Sequence, residues 1–144
     1  TGDLFGPSMA FVRCLTTNGF VKRNGEAVMG RGVALQAAQR WPAIRKTLGK
    51  EIQMNGNHVQ YLAVFGGERW VSFPVKHNWW EKADLNLIKR SAMELASIAE
   101  AFPETIFVLP RPGCGNGGLC WDLVKPVIEK ILPDNVHVIT FTTS

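Results

Sequence analysis

The sequence predicts an α/β fold in three layers, α/β/α, with helices covering both faces of a central mixed sheet. Three observations carry this: apolar runs of strand length that end in turn residues, segments of helical period between them, and the order strand, helix, hairpin, helix, strand, helix, strand. The chain has 144 residues, 46% apolar and 19% charged, with five Trp and eight Phe. A chain of that size buries roughly two thirds of its unfolded surface, so the core needs no metal or disulfide. A single domain over residues 1–144 is expected, without internal repeat or linker.

Ala10 to Leu15 read as a buried strand, closed by the turn-forming run Thr16-Thr17-Asn18-Gly19. Val33, Ala34, Ala37, Ala38 and Trp41 recur at helical spacing, so a helix opens at Gly32 and is stopped or kinked at Pro42, with a second helical piece to about Gln53. Val59, Tyr61, Ala63 and Phe65 alternate as in a half-buried strand; Gly66-Gly67 is a hairpin turn, and Trp70 to Phe73 return, ended by Pro74. Asp84 is an N-cap for a long helix ending near Phe102-Pro103, with Leu87, Ile88, Met93, Leu95, Ile98 and Ala99 as its apolar face. Then follow a strand from Thr105 to Leu109, a loop from Pro110 to Gly118, a helix from about Trp121 to Leu132, and a strand from Val136 to Phe141. Pro126 argues for a later start of that last helix.

Cys14, Cys114 and Cys120 are odd in number and lack paired metal-ligand spacing, which predicts reduced thiols in a cytoplasmic compartment and no metal site. No apolar run approaches the ~20 residues of a membrane span. The formal charge is +4, and many of the basic residues, Lys22, Arg23 and Arg31 among them, fall in the first third. That favours an anionic partner, although a solvated basic face accounts for it equally well.

Two glycine-rich turns hold the main chemical signal. Met29-Gly30-Arg31-Gly32 opens one helix, and Gly113-Cys114-Gly115-Asn116-Gly117-Gly118 leaves a buried strand. Such loops present bare N–H groups to phosphate oxygens, and a helix N-terminus adds positive potential. The second loop matches the G-x-G-x-x-G spacing of dinucleotide enzymes, but the next strand, Val136 to Phe141, leads into Thr142-Thr143-Ser144 with no acidic residue at its end, which argues against a nicotinamide-dependent enzyme.

Thr1-Gly2-Asp3-Leu4, Leu15 to Gly19, Val28 to Ala34 and Leu109 to Leu119, in that order, together resemble a macrodomain, the DarG-type branch most of all. That branch removes ADP-ribose from DNA bases. The resemblance implies that Asp3, with Leu4, holds the adenine; that Asn18 holds the distal ribose and takes part in catalysis; and that Met29, Gly30, Arg31, Gly32 and Val33 cover the distal ribose and phosphate. It implies that Pro112, Gly113, Cys114, Gly115, Asn116, Gly117, Gly118 and Leu119 surround the pyrophosphate. Lys76, in Phe73-Pro74-Val75-Lys76-His77-Asn78-Trp79-Trp80, matches a catalytic lysine of the branch. An amine beside apolar rings gives up its proton more readily, and can attack the C1″ aldehyde or serve as a proton donor. The rival reading is a surface Lys with both Trp packed into the core. A related glutamyl-ADP-ribose hydrolase branch has an Asp where this chain has Gly117, which argues against lysine-plus-aspartate chemistry. His77 could serve as an acid or base, but a lone His next to Trp is more often a packed or surface residue, and Cys114, without a His partner, is assigned to structure.

The expected function is binding of ADP-ribose and hydrolysis at C1″ of an ADP-ribosyl linkage on DNA or protein. The alternatives are a non-catalytic reader and a phosphatase of ADP-ribose 1″-phosphate. No cofactor is expected, no membrane association, and a monomeric state.

Overall fold

The computed structural model describes residues 10–30 and 32–139, without the side chains of Ala10 and Asn116. Five strands, β1 (Ala10–Asn18), β2 (Gln60–Phe65), β3 (Glu68–Lys76), β4 (Thr105–Pro110) and β5 (Val136–Ile139), form one sheet in the order β2-β3-β1-β4-β5. β2 and β3 are antiparallel; every other pair is parallel. The sheet is therefore mixed, as the element order predicts. Helices α1 (Gly32–Arg40) and α2 (Ile44–Asn55) lie against β1 and β2, while α3 (Leu85–Ala101) and α4 (Trp121–Glu129) pack on each other, with α3 against β3 and β4.

Strand alternation divides the core between the two faces. Val12 and Cys14 of β1 join Val71, Phe73, Ile88 and Leu95 in one cluster. Leu15 of the same strand joins Ala34, Ala38, Ile44 and Leu48 in the other. Three layers follow directly: each helix buries one apolar stripe on its own side of a sheet that is apolar on both.

Several elements differ from expectation. β1 runs on through Thr16, Thr17 and Asn18, because β3 extends beside it and pairs with it as far as Asn18 opposite Lys76. β3 contains Pro74 and does not end there: pairing with β2 begins only at Ser72, so beyond that point β3 is flanked by β1 alone and behaves as an edge, where a missing N–H is tolerated. In β2 the buried residues are Gln60 and Leu62 while Tyr61 is exposed, because a register shift between Tyr61 and Ala63 changes the alternation midway. The hairpin turn is as expected, with φ of 62° and 81° at Gly66 and Gly67 suiting a two-residue turn. α4 begins at Trp121 despite Pro126, which lies on the exposed side where the freed carbonyl can be hydrated. Met93 faces solvent: Ile88, Ala92, Leu95 and Ala99 repeat at helical spacing and Met93 falls off that stripe. The expected last strand is present to Ile139; its remaining residues lie outside the described ones.

Asp84 caps α3 as expected, its Oδ1 accepting from the Asn86 N–H at 2.9 Å while Oδ2 lies 2.8 Å from His77 Nε2. The hydrogen bond to His77, and then those from the start of α3, hold the Asp84 carboxyl below the ordinary carboxylate range against its partial desolvation. A carboxyl depressed in the folded state stabilises above its ordinary range, and that contribution is lost as pH falls through the depressed value. Asp84→Ala is expected to cost about 1 kcal/mol, roughly 3 °C in Tm, at neutral pH. Melting curves of both proteins should converge under acid; a gap that persists unchanged at low pH would show the loss to be packing and not the cap.

Candidate functional site

The parallel strands set the site. β1 and β4 pair from Ala10–Thr105 to Arg13–Val108, and beyond that pair their carboxyl ends part. The chain leaves β1 toward the α1–α2 layer and leaves β4 toward the α4 layer on the opposite face. Divergence of two neighbouring strands at their carboxyl ends, with connections to opposite faces, is where open α/β sheets bind ligands. A cleft of about 460 Å3 lies there, lined by the ends of β1, β3, β4 and β5 and by both glycine loops.

The structure brings many of the sequence-derived candidates together. Asn18, Met29, Gly30, Gly32, Val33, Lys76, Gly113, Cys114, Gly115 and Gly117 all line the cleft. Pro112, Gly118 and Leu119 do not; they form the back of the second loop, where the Leu119 N–H donates to Gly113 O at 2.9 Å and the Gly118 N–H to Gly115 O at 3.0 Å. Asp3, Leu4, Arg31 and the side chain of Asn116 lie outside what the structure describes.

Asn18 and Lys76 are cross-strand partners on β1 and β3, so the two candidates for catalysis stand side by side. The Asn18 amide ties the first loop down: Nδ2 donates to Val28 O and Oδ1 accepts from the Phe20 N–H, both at 3.0 Å. One amide hydrogen and one lone pair remain for a ligand. Lys76 is the last residue of β3, its backbone fixed by the Asn57 Nδ2–Lys76 O bond of 3.0 Å and by the neighbouring Gly19 N–His77 O bond of 3.0 Å. Its ammonium reaches the carbonyl of Trp79 at 3.5 Å. His77 is turned to the cap of α3 and does not line the cleft.

The two tryptophans are not core residues. Trp79 and Trp80 are 50% and 58% exposed, packed edge to face at 5.4 Å on Phe20 through Trp80 and at 5.5 Å on one another, and Trp79 lines the cleft. Packing of both into the core was the rival reading of the sequence; the turn after β3 instead leaves both exposed, with Trp79 at the cleft.

The second loop is built around close packing. Gly113 has φ of 76°, and a Cβ there would stand 2.5 Å from Ile88 Cδ1. The Gly117 carbonyl accepts from the Ala83 N–H at 2.9 Å, anchoring the loop to the start of α3. Burial raises the Cys114 thiol above its ordinary pKa, partly offset by the nearby Arg111 guanidinium, so it stays protonated and unreactive at neutral pH.

Sequence reasoning missed Thr17, Arg111 and Ile139 as lining residues. Convergence of the parallel strand ends was the signal that could have found them. The Thr17 hydroxyl is buried and has no partner among the described residues.

A mixed five-stranded sheet between two helical layers, with its cleft between the loops after β1 and β4, is the macrodomain fold. The solved structures it resembles include the macrodomain of Thermus aquaticus DarG, at a TM-score of 0.71 and 22% identity over 94% of this chain and 98% of that one. Thermosipho africanus DarTG in complex with ADP-ribose superposes at 0.69 and 16% identity, over 92% of this chain and 41% of that one. Among curated proteins, the DNA ADP-ribosyl glycohydrolase of Thermus aquaticus is 28% identical over 115 residues, covering 76% of this chain and 32% of the relative. The chain thus spans about a third of the length of the curated relatives it matches. No family model matches it.

Proposed function

We propose that the chain binds ADP-ribose in this cleft and hydrolyses the bond between C1″ and a DNA base. The observation that carries the reading is the cleft itself: two glycine loops face one another across the parting of β1 and β4, with Lys76 and Asn18 together at one end. Bare backbone on both sides fits a diphosphate, and an amine at the end fits the reacting sugar. In the reaction water adds its hydroxyl to C1″, the glycosidic bond breaks, and a proton goes to the departing base. Asn18 holds the distal ribose hydroxyls, and Lys76 acts at C1″. The curated relatives named for DNA and a neighbour solved with ADP-ribose support both halves of this reading.

A nucleobase as leaving group, in preference to a protein side chain, is favoured by Trp79, exposed at the cleft beside Lys76, since an aromatic face there stacks on a base. The domain acts as a monomer, Asp3 and Leu4 hold the adenine, and Arg31 joins the loop over the phosphate. Three free cysteines support a cytoplasmic setting. Among the described residues no helix is long and apolar enough to cross a membrane.

The test is product analysis after incubation with ADP-ribosylated single-stranded DNA, ADP-ribosylated protein and ADP-ribose 1″-phosphate. Free ADP-ribose and restored base from the DNA alone is the expected result. Release from protein or loss of phosphate in its place would reassign the substrate, and tight ADP-ribose binding with no turnover on any of the three would make the domain a reader.

A further inference from the structure

Among the described residues lining the cleft, two carry a charged side chain, Lys76 and Arg111, and both are cationic. They come from β3 and from the residue after β4, with β1 between them. Neighbouring strands lie about 4.8 Å apart and β1 and β4 part beyond Arg13–Val108, so the two side chains issue from backbones separated by at least about 10 Å. That separation suits two different tasks along one extended ligand.

We propose that Arg111 is the counter-charge for the diphosphate of the ligand, a binding residue separate from Lys76 at the reacting end. The proposal rests on the ADP-ribose reading above and adds a residue to it. Arg111 stands immediately before the second glycine loop, on the wall where phosphate oxygens would meet backbone N–H groups. Its guanidinium lies 4.8 Å from the ring centroid of Trp121, the first residue of α4. Stacking fixes the plane of the fork while leaving its edge free, and that edge offers paired N–H donors matched to two phosphate oxygens. No carboxylate among the described residues forms an ion pair with it. In ADP-ribose the adenine and both riboses are uncharged, so the diphosphate is the anion an unpaired cation in this cleft would meet.

The experiment compares the parent with Arg111→Met, Arg111→Gln and Trp121→Leu. Calorimetry is run with ADP-ribose, and separately with an unmodified single-stranded oligonucleotide, at low and high salt, beside turnover on ADP-ribosylated DNA. Loss of a charged hydrogen-bonded pair corresponds to roughly a tenfold to hundredfold weaker ADP-ribose affinity in both Arg111 variants, with a flatter salt dependence. Trp121→Leu should show a smaller loss, roughly threefold to tenfold, as the guanidinium loses its support. KM should rise with kcat nearly unchanged, which a general structural lesion would not produce, and melting without ligand should match the parent for at least one Arg111 variant. If Arg111 variants bind ADP-ribose like the parent, or lose only oligonucleotide affinity because the group serves backbone phosphates, the proposal is wrong. A parent that fails to bind ADP-ribose at all overturns the reading of the site together with it.

Discussion

Lys76→Ala is expected to lower turnover on ADP-ribosylated DNA by roughly 100- to 10,000-fold, the range associated with loss of a positioned acid, base or nucleophile. ADP-ribose affinity should change by less than about threefold, since the proposed function has other residues hold the diphosphate and adenine. The structure makes this a clean substitution: Lys76 is partly exposed, ends its strand, and makes its one described side-chain hydrogen bond to the Trp79 carbonyl. Borohydride added during turnover separates the two roles for the amine. A covalent adduct lost in Lys76→Ala identifies attack of the amine on C1″ as the bond to the base breaks and the base takes the proton, leaving an iminium that water hydrolyses and borohydride traps, and turnover without an adduct identifies proton donation. Equal losses in affinity and rate would show that Lys76 merely binds.

The second large effect is expected at Gly30. It lines the cleft, has no positive φ, and a Cβ there would meet nothing within 4 Å, so a side chain costs the fold little. Gly30→Val should keep the parent's melting temperature without ligand and lose the rise that ADP-ribose gives. At a hundredfold excess over Kd that rise is roughly 6–10 °C for a domain of this size. Gly113→Ala is the contrasting control, because its φ of 76° and the 2.5 Å approach to Ile88 make it a lesion of the fold first. Its melting temperature should fall even without ligand, by the equivalent of roughly 1–3 kcal/mol. If Gly30→Val retains the parent's full ligand response, the first loop does not cover the ligand.

The glycine loops were legible where the backbone itself demands glycine, since positive φ at Gly32, Gly113, Gly115 and Gly118 leaves few other residue choices. The helices were legible from period and caps, Asp84 most plainly. What escaped depends on partners distant in sequence. Thr16-Thr17-Asn18 reads as a turn locally, yet β3 beside it holds it as strand. Pro74 reads as a strand end until β2 is seen to stop pairing before it. Arg111 and Ile139 reach the cleft only because four strands end at one place, and the rim position of Trp79 depends on a turn whose direction no local pattern states.

The opposite departures of the chain from β1 and β4 carry a mechanical consequence. One loop belongs to the α1–α2 side of the sheet and the other to the α3–α4 side, and each side has its own apolar cluster. A ligand gripped by both loops is a strap across the sheet, and opening either side would release it. Binding should therefore slow amide hydrogen exchange in α1 and in α4 together, although the two helices belong to different clusters on opposite faces of the sheet.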